Sequence, residues 1–191
     1  DGTGIVLGEK TFSAADIRTI VDSLDIYVFP QANPDGRDYS MNSDDHKWRK
    51  NRRPADPGSN CVGVDLNRNF DFLWDFDSRV ASSSHVRWFV SSDPCDDTYQ
   101  GPGPFSEPET LNVKWIHDKY PNIGYFVDLH SAGERILHSW GDDDNQSNDS
   151  AMTFQSDDFD SVRGLRDDLD EEGAYGEFTP IGDLVAAKDL A

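Results

Sequence analysis

Basic residues are scarce in this 191-residue chain: 17 Lys and Arg stand against 37 Asp and Glu, a formal net charge of −20. An isoelectric point near 4.3 excludes nucleic acid or an anionic membrane as the main partner, because both repel such a surface. Apolar runs are short, and none approaches the roughly 20 residues of a membrane helix. Neither a starting Met nor a signal-peptide core opens the chain, which therefore reads as processed or trimmed. Repeats are absent. Cysteine is limited to Cys61 and Cys95, neither in a Cys-x-x-Cys pair, which excludes a structural zinc knuckle. Two readings of that pair stay open: free buried thiols, or one disulfide of an exported protein worth about 3–4 kcal/mol by loop entropy. No His-x-x-Glu pair occurs, since Arg49, Trp88, Tyr120 and Gly141 stand three residues after His46, His85, His117 and His138.

What is present suffices for one core. Hydrophobic residues make up 36% and aromatics 12%, too much for simple disorder and, at this length, too little for two comfortable domains. Ser13 followed by Asp16 forms a capping-box pattern, and Ile17, Ile20, Val21 and Leu24 recur at helical spacing, predicting a helix over 13–24. Ile26-Tyr27-Val28-Phe29 reads as a short buried strand, stopped by the turn chemistry of Asn33-Pro34-Asp35-Gly36. The rhythm returns with a helix capped by Ser106 and Glu109, carried by Leu111, Trp115 and Ile116 and ended before Pro121. Tyr125-Phe126-Val127-Asp128-Leu129 then reads as a strand buried on both faces. A third helix is expected over 157–172, with Phe159, Val162, Leu165 and Leu169 facing inward. Continuous apolar strands alternating with helices predict an α/β fold with a buried central sheet and helices on both faces. The long irregular stretches 37–60, 71–105 and 141–156 suit a functional surface.

Several residues suggest chemistry. Arg37, Lys47, Arg49, Lys50, Arg52 and Arg53 crowd around Trp48, either as charge balance or as an anion-binding loop, since planar guanidinium groups grip oxyanions in pairs of bonds. Asn67-Arg68-Asn69 follows the strand-like Val62-Gly63-Val64-Asp65-Leu66. That is a suitable place to bind a small anion, although on the residues alone a loop salt bridge is the simpler reading. His130 ends the 125–129 run and is the best candidate metal ligand, yet a catalytic zinc normally takes three protein ligands. Asp142-Asp143-Asp144-Asn145 lacks the glycine and downstream glutamate of a calcium loop. It reads as a solvated acidic turn, with adventitious calcium left open.

In order, the strings Asn33-Pro34-Asp35-Gly36, Trp48-Arg49-Lys50-Asn51-Arg52, Cys61 through Phe70, Pro94-Cys95, Tyr99-Gln100-Gly101, Ser106-Glu107-Pro108-Glu109 and Asp128-Leu129-His130-Ser131 resemble the zinc metallocarboxypeptidases of the carboxypeptidase A type. The resemblance covers about 11–141 and implies a mixed sheet sandwiched by helices, with the whole of 1–191 as the central part of one catalytic domain. It implies one zinc ion held by His130, with the other His and Glu ligands upstream of Asp1. Arg52 matches the arginine that polarises the scissile carbonyl and stabilises its oxyanion. Asn67 and Arg68 match the clamp on the substrate's terminal carboxylate. Arg49 lies near the substrate path, and Asp65 matches a carboxylate orienting a zinc-bound histidine. Cys61 and Cys95 match a disulfide of the digestive members, which favours the bridge. A closing tyrosine and a general-base glutamate belong downstream of Ala191, and neither Glu134 nor Glu177 stands in a matching context.

The implied function is hydrolysis of the C-terminal peptide bond of peptides and proteins by a secreted, extracellular enzyme. Its partners would be a peptide C-terminus and the remainder of its own domain. One alternative is a carboxylate- or peptide-binding relative without catalysis, or an inactive fragment. Another is an intracellular relative that trims acidic tails or acyl groups, against which the cysteine pair argues.

Overall fold

The computed structural model describes residues 4–7, 10–55, 57–131, 137–138, 146–163 and 175–190. The chain divides into two units, Asp1–Ala32 and Asn33–Ala191.

In the first unit, strands β1 (Ile5–Leu7) and β2 (Lys10–Phe12) pair antiparallel, with Ile5 opposite Phe12 and Val6 opposite Thr11. Helix α1 (Ala14–Ser23) follows directly. The capping box is realised: the Ser13 hydroxyl accepts from the Asp16 amide at 3.1 Å, and Asp16 accepts from the Ser13 amide at 3.0 Å. These bonds to the charged form hold the Asp16 carboxyl below its ordinary range, the Ser13 side chain being the largest cause. Ile17, Ile20 and Val21 of α1 join Ile5 and Phe12 around one apolar groove. The helix stands where the caps and the spacing place it. The expected strand over 26–29 does not form: these residues are irregular and exposed. A strand satisfies its N–H and C=O groups only through a neighbour, and among the described residues none pairs with this segment.

The second unit opens with helix α2 (Pro34–Asn42), where the sequence suggests a turn. Asn33 is its N-cap, accepting from the Gly36 amide at 3.0 Å, and Pro34 fills the first helical turn. Asn-Pro signals a helix start as well as a turn, because proline's fixed φ and missing N–H cost nothing there. A Cβ on Gly36 would lie 2.4 Å from the Lys50 carbonyl oxygen, so this turn can pack against the 49–51 segment only as glycine. Helix α3 (Phe76–Arg79) is a single turn, and α4 (Pro108–Lys119) ends before Pro121 as expected. The cap of α4 differs from the expectation. Glu107 is its N-cap, while the Ser106 hydroxyl is committed to the Glu107 carboxylate at 2.8 Å.

Strands β3 (Gln146–Ser147) and β4 (Glu177–Phe178) form a two-residue parallel pair, and α5 (Ile181–Leu190) closes the described chain. The class is mixed α/β, with helices and small sheets. The 125–129 run, expected as a doubly buried strand, is irregular with Tyr125 84% and Leu129 89% exposed. Like 26–29, it has no paired neighbour among the described residues. The expected helix over 157–172 begins as a 3-10 turn, Asp157–Phe159, and is then interrupted. Ser161 adopts φ 69°, and Arg163 bridges to Val80 instead of continuing a helix. Residues 164–172 lie outside the described part.

The interior of this unit is polar to an unusual degree. Buried apolar side chains include Val64, Val80, Ala81, Tyr99 and Tyr175, beside buried Lys50, Asn51, Asp65, Asn69, Glu107, Thr110, Arg163 and Glu177. Buried polar groups are tolerated only when bonded, and each of these residues is bonded, although the Nε of Arg163 finds no partner among the described residues. Asn69 donates to the carbonyls of Gln100 and Gly103 at 2.9 and 3.1 Å, and accepts from the Thr110 hydroxyl at 2.7 Å. Asn51 accepts from the Val64 amide at 2.8 Å and donates to Glu107 at 2.7 Å. Glu107 also receives Arg53 at 3.3 Å. Glu107→Ala should therefore lower unfolding free energy by about 3–5 kcal/mol, the usual cost of leaving a buried partner unpaired. A loss below about 1 kcal/mol in denaturant titration would show the network to be dispensable.

Candidate functional site

Segments 51–53 and 63–65 run side by side, joined by Asn51 N–H to the Val64 carbonyl and Gly63 N–H to the Arg53 carbonyl, both at 2.9 Å. Gly63 makes the approach possible: at φ 85°, a Cβ there would stand 2.3 Å from the Asn51 carbonyl oxygen. This pairing brings Arg49 to Asp65, Nη2 to Oδ2 at 2.7 Å. Asp65 is buried, and its other oxygen caps the 3-10 turn Leu66–Arg68 by accepting from the Asn67 amide at 3.1 Å. Four of the residues singled out by sequence thus meet here: Arg49, Asp65, Asn67 and Arg68.

Arg68 is half-buried and held by carbonyls: its Nη1 donates to Asn67 O at 2.8 Å and its Nε to Phe89 O. No carboxylate among the described residues lies within ion-pair distance of it. Burial pushes its pKa down, Asp65 opposes that shift and Arg49 adds to it. The group stays protonated at any physiological pH. The consequence is a guanidinium whose charge is under-compensated, close to a second arginine whose acid is already taken. Such a place favours an incoming anion.

Arg52 is held differently. Its guanidinium lies 3.8 Å from the Tyr39 ring centroid and 4.6 Å from that of Trp48, and the two rings meet edge-on at 5.1 Å. Aromatic faces fix the guanidinium plane without consuming its N–H donors. No protein acceptor is bonded to those donors among the described residues. The Trp48 indole is itself anchored, donating to the Lys50 carbonyl at 2.6 Å.

Cys61 and Cys95 form a disulfide with Cα atoms 5.0 Å apart, closing a sequence separation of 34 residues. A loop of that size is worth about 4 kcal/mol in the chain-entropy model. Non-reducing mass spectrometry should find no alkylatable thiol, and two labelled cysteines would refute the bridge.

His130 is exposed, with Nε2 3.0 Å from Asp128 Oδ2, and it makes no hydrogen bond to the arginine group among the described residues. Zinc needs three or more such donors converging. No group of three His, Cys, Asp or Glu among the described residues could hold a metal. The donors among the described residues fit one ligand position and not a whole zinc centre. The acidic string 142–145 lies outside the described residues. Glu177 is buried and accepts from the Phe154 amide at 3.0 Å and from the Tyr175 hydroxyl, a structural engagement.

Asn51 and Glu107 carry no expected role in the sequence, and Lys50 and Asn69 stand there only within a basic cluster and an anion-binding string, yet all four are buried and bonded in the fold.

The family model for zinc carboxypeptidases, Peptidase_M14, matches residues 8–168. The chain belongs to the zinc carboxypeptidase family. Among curated relatives, metallocarboxypeptidase A of Trichophyton tonsurans is 43% identical over 131 residues, 66% of this chain and 28% of that one. Carboxypeptidase B of Astacus astacus is 34% identical over 167 residues, 84% of this chain and 51% of that protein. Among solved structures, carboxypeptidase A from Helicoverpa armigera is 40% identical at a TM-score of 0.36, covering 47% of this chain and 19% of that one. The chain thus spans between about a quarter and a half of the length of these curated relatives. Family membership implies zinc as the metal. No helix among the described residues is long and apolar enough to cross a membrane.

Proposed function

We propose that the protein is a secreted, zinc-dependent exopeptidase that removes the C-terminal residue of peptides and proteins. The observation that carries this reading is the under-compensated pair of arginines. In a chain of net charge −20, Arg68 and Arg52 each lack a carboxylate partner among the described residues and are held in place by carbonyls or aromatic rings. Arg68, with the exposed amide of Asn67 beside it, binds the terminal carboxylate in a two-bond, charge-assisted contact. Arg52 donates to the scissile carbonyl oxygen as negative charge develops on it. Arg49, tied to Asp65, borders the substrate path. His130 supplies one zinc ligand, and zinc when bound supplies Lewis-acid chemistry. The disulfide accords with an exported protein, since such bridges persist in oxidising compartments. The acidic surface steers basic peptides towards the site without defining a pocket.

The test is a comparison in the zinc-loaded full-length enzyme of one peptide with a free C-terminus and the same peptide amidated. Release of the terminal residue from the free acid alone supports the assignment. Tight binding of the free acid without release supports the non-catalytic alternative. Equal cleavage of both removes the exopeptidase reading.

A further inference from the structure

The segment 89–100 has a construction that the site residues alone do not explain. It is closed on itself: Ser91 N–H donates to the Thr98 carbonyl and Gln100 N–H to the Ser91 carbonyl, both at 3.0 Å. Within it, Cys95 N–H donates to the Asp93 carboxylate at 2.9 Å. Three consecutive residues of this closed loop are held from outside. Pro94 and Asp96 offer their carbonyls to Lys50 Nζ at 2.7 and 3.1 Å, and Cys95 between them is bonded to Cys61. Lys50 is 3% exposed. Burial pushes its pKa down, against the pull of Asp97, Asp96, Asp65 and Asp93. A buried ammonium aimed at two carbonyls is a costly way to tie down a surface loop, so its position calls for a purpose.

The stem of that loop touches the site, through Phe89 two residues before the closure at Ser91 and through Tyr99 beside the closure at Gln100. The Phe89 carbonyl accepts from Arg68 Nε, and the Tyr99 carbonyl accepts from the Asp65 amide at 2.8 Å. Of the two carbonyls that hold the Arg68 guanidinium, one therefore belongs to this segment.

We propose that Lys50 is a positioning residue for the anion-binding arginine. By latching the carbonyls of Pro94 and Asp96 beside the Cys61–Cys95 bridge, it fixes the 89–99 segment whose carbonyls aim Arg68 and Asp65. This rests on the reading of Arg68 as the carboxylate clamp. An arginine aimed by carbonyls is only as well placed as the backbone that carries them, and a displacement near 1 Å can cost up to about a hundredfold in rate. Lys50→Met keeps the stem and removes the donors. Lys50→Arg keeps donors and charge.

In the full-length enzyme, Lys50→Met should raise KM for a free-acid peptide about tenfold, with kcat changed less than about threefold. Its preference for the free acid over the amide should shrink in step, and Lys50→Arg should recover most of both. A purely structural lysine would lower the melting temperature and leave KM and the preference alone, and that result overturns the proposal. If Lys50→Met does not fold, Lys50→Gln, which keeps a shorter neutral donor, gives the second reading. KM should rise and the acid preference shrink there too, and finding both unchanged overturns the proposal equally. Arg68→Ala is the control that separates the two levels. If it abolishes the acid preference while Lys50→Met leaves that preference unchanged, the latch is refuted and the clamp survives. If Arg68→Ala keeps the preference, the clamp reading itself has failed.

Discussion

Arg68→Ala in the full-length enzyme should lower kcat/KM for free-acid peptides by about 30-fold to several-thousand-fold, corresponding to about 2–5 kcal/mol for losing one partner of a desolvated charge pair. A large loss is expected on the proposed reading for a reason in the structure. Arg68 is half-buried, its Nε and Nη1 are already engaged by carbonyls, and no carboxylate among the described residues neutralises it. Its charge is therefore available to a ligand. In the proposed clamp the contact would form in the ground state and also set the distance of the scissile bond from the reacting groups. KM should rise and kcat should fall with it through misplacement. The decisive comparison is again acid against amide. The wild type should reject the amidated peptide strongly, and Arg68→Ala should treat the two almost alike. Full retention of acid preference would show that another group holds the carboxylate.

Arg52→Ala should behave differently, with kcat falling by about 10²–10³ and KM nearly unchanged. Tyr39 and Trp48 hold the guanidinium by its faces, so its edge donors stay available for charge that appears only during the reaction. A donor of this kind contributes little to ground-state binding, and its removal therefore shows in kcat. The loss to folding should be small, about 0.5–1 kcal/mol per exposed cation–π contact. Thermal unfolding of the variant separates the two effects. A raised KM with unchanged kcat would mean that Arg52 binds substrate uniformly and does not meet the oxyanion.

Local signals were legible in the sequence, and distant ones were not. The capping box of Ser13 and Asp16 places α1 because both of its bonds close within three residues. Asn33-Pro34 marks a boundary correctly but leaves turn and helix indistinguishable, since both use the same fixed φ. Ser106 illustrates the opposite case. It has the spacing of a cap, yet Asn69, distant in sequence, donates to its hydroxyl at 2.9 Å. No window on the sequence contains that competitor.

The sequence by itself determined the kinship, the order of the motif strings, the acid excess that makes unpaired arginines conspicuous, and the presence of helices over 13–24 and 106–119, although not the cap of the second. Tertiary structure alone decided which of the arginines are neutralised. Arg49 meets Asp65 because Gly63 lets two backbone segments close together, whereas Arg68 faces carbonyls and Arg52 faces rings. It also decided that the apolar runs 26–29 and 125–129 are irregular. Strand propensity describes a surface ready to be paired, and pairing is a contact with another part of the chain. A cap is satisfied by its own next turn, but a strand, an ion pair or a buried carboxylate is satisfied only by what folding brings to it.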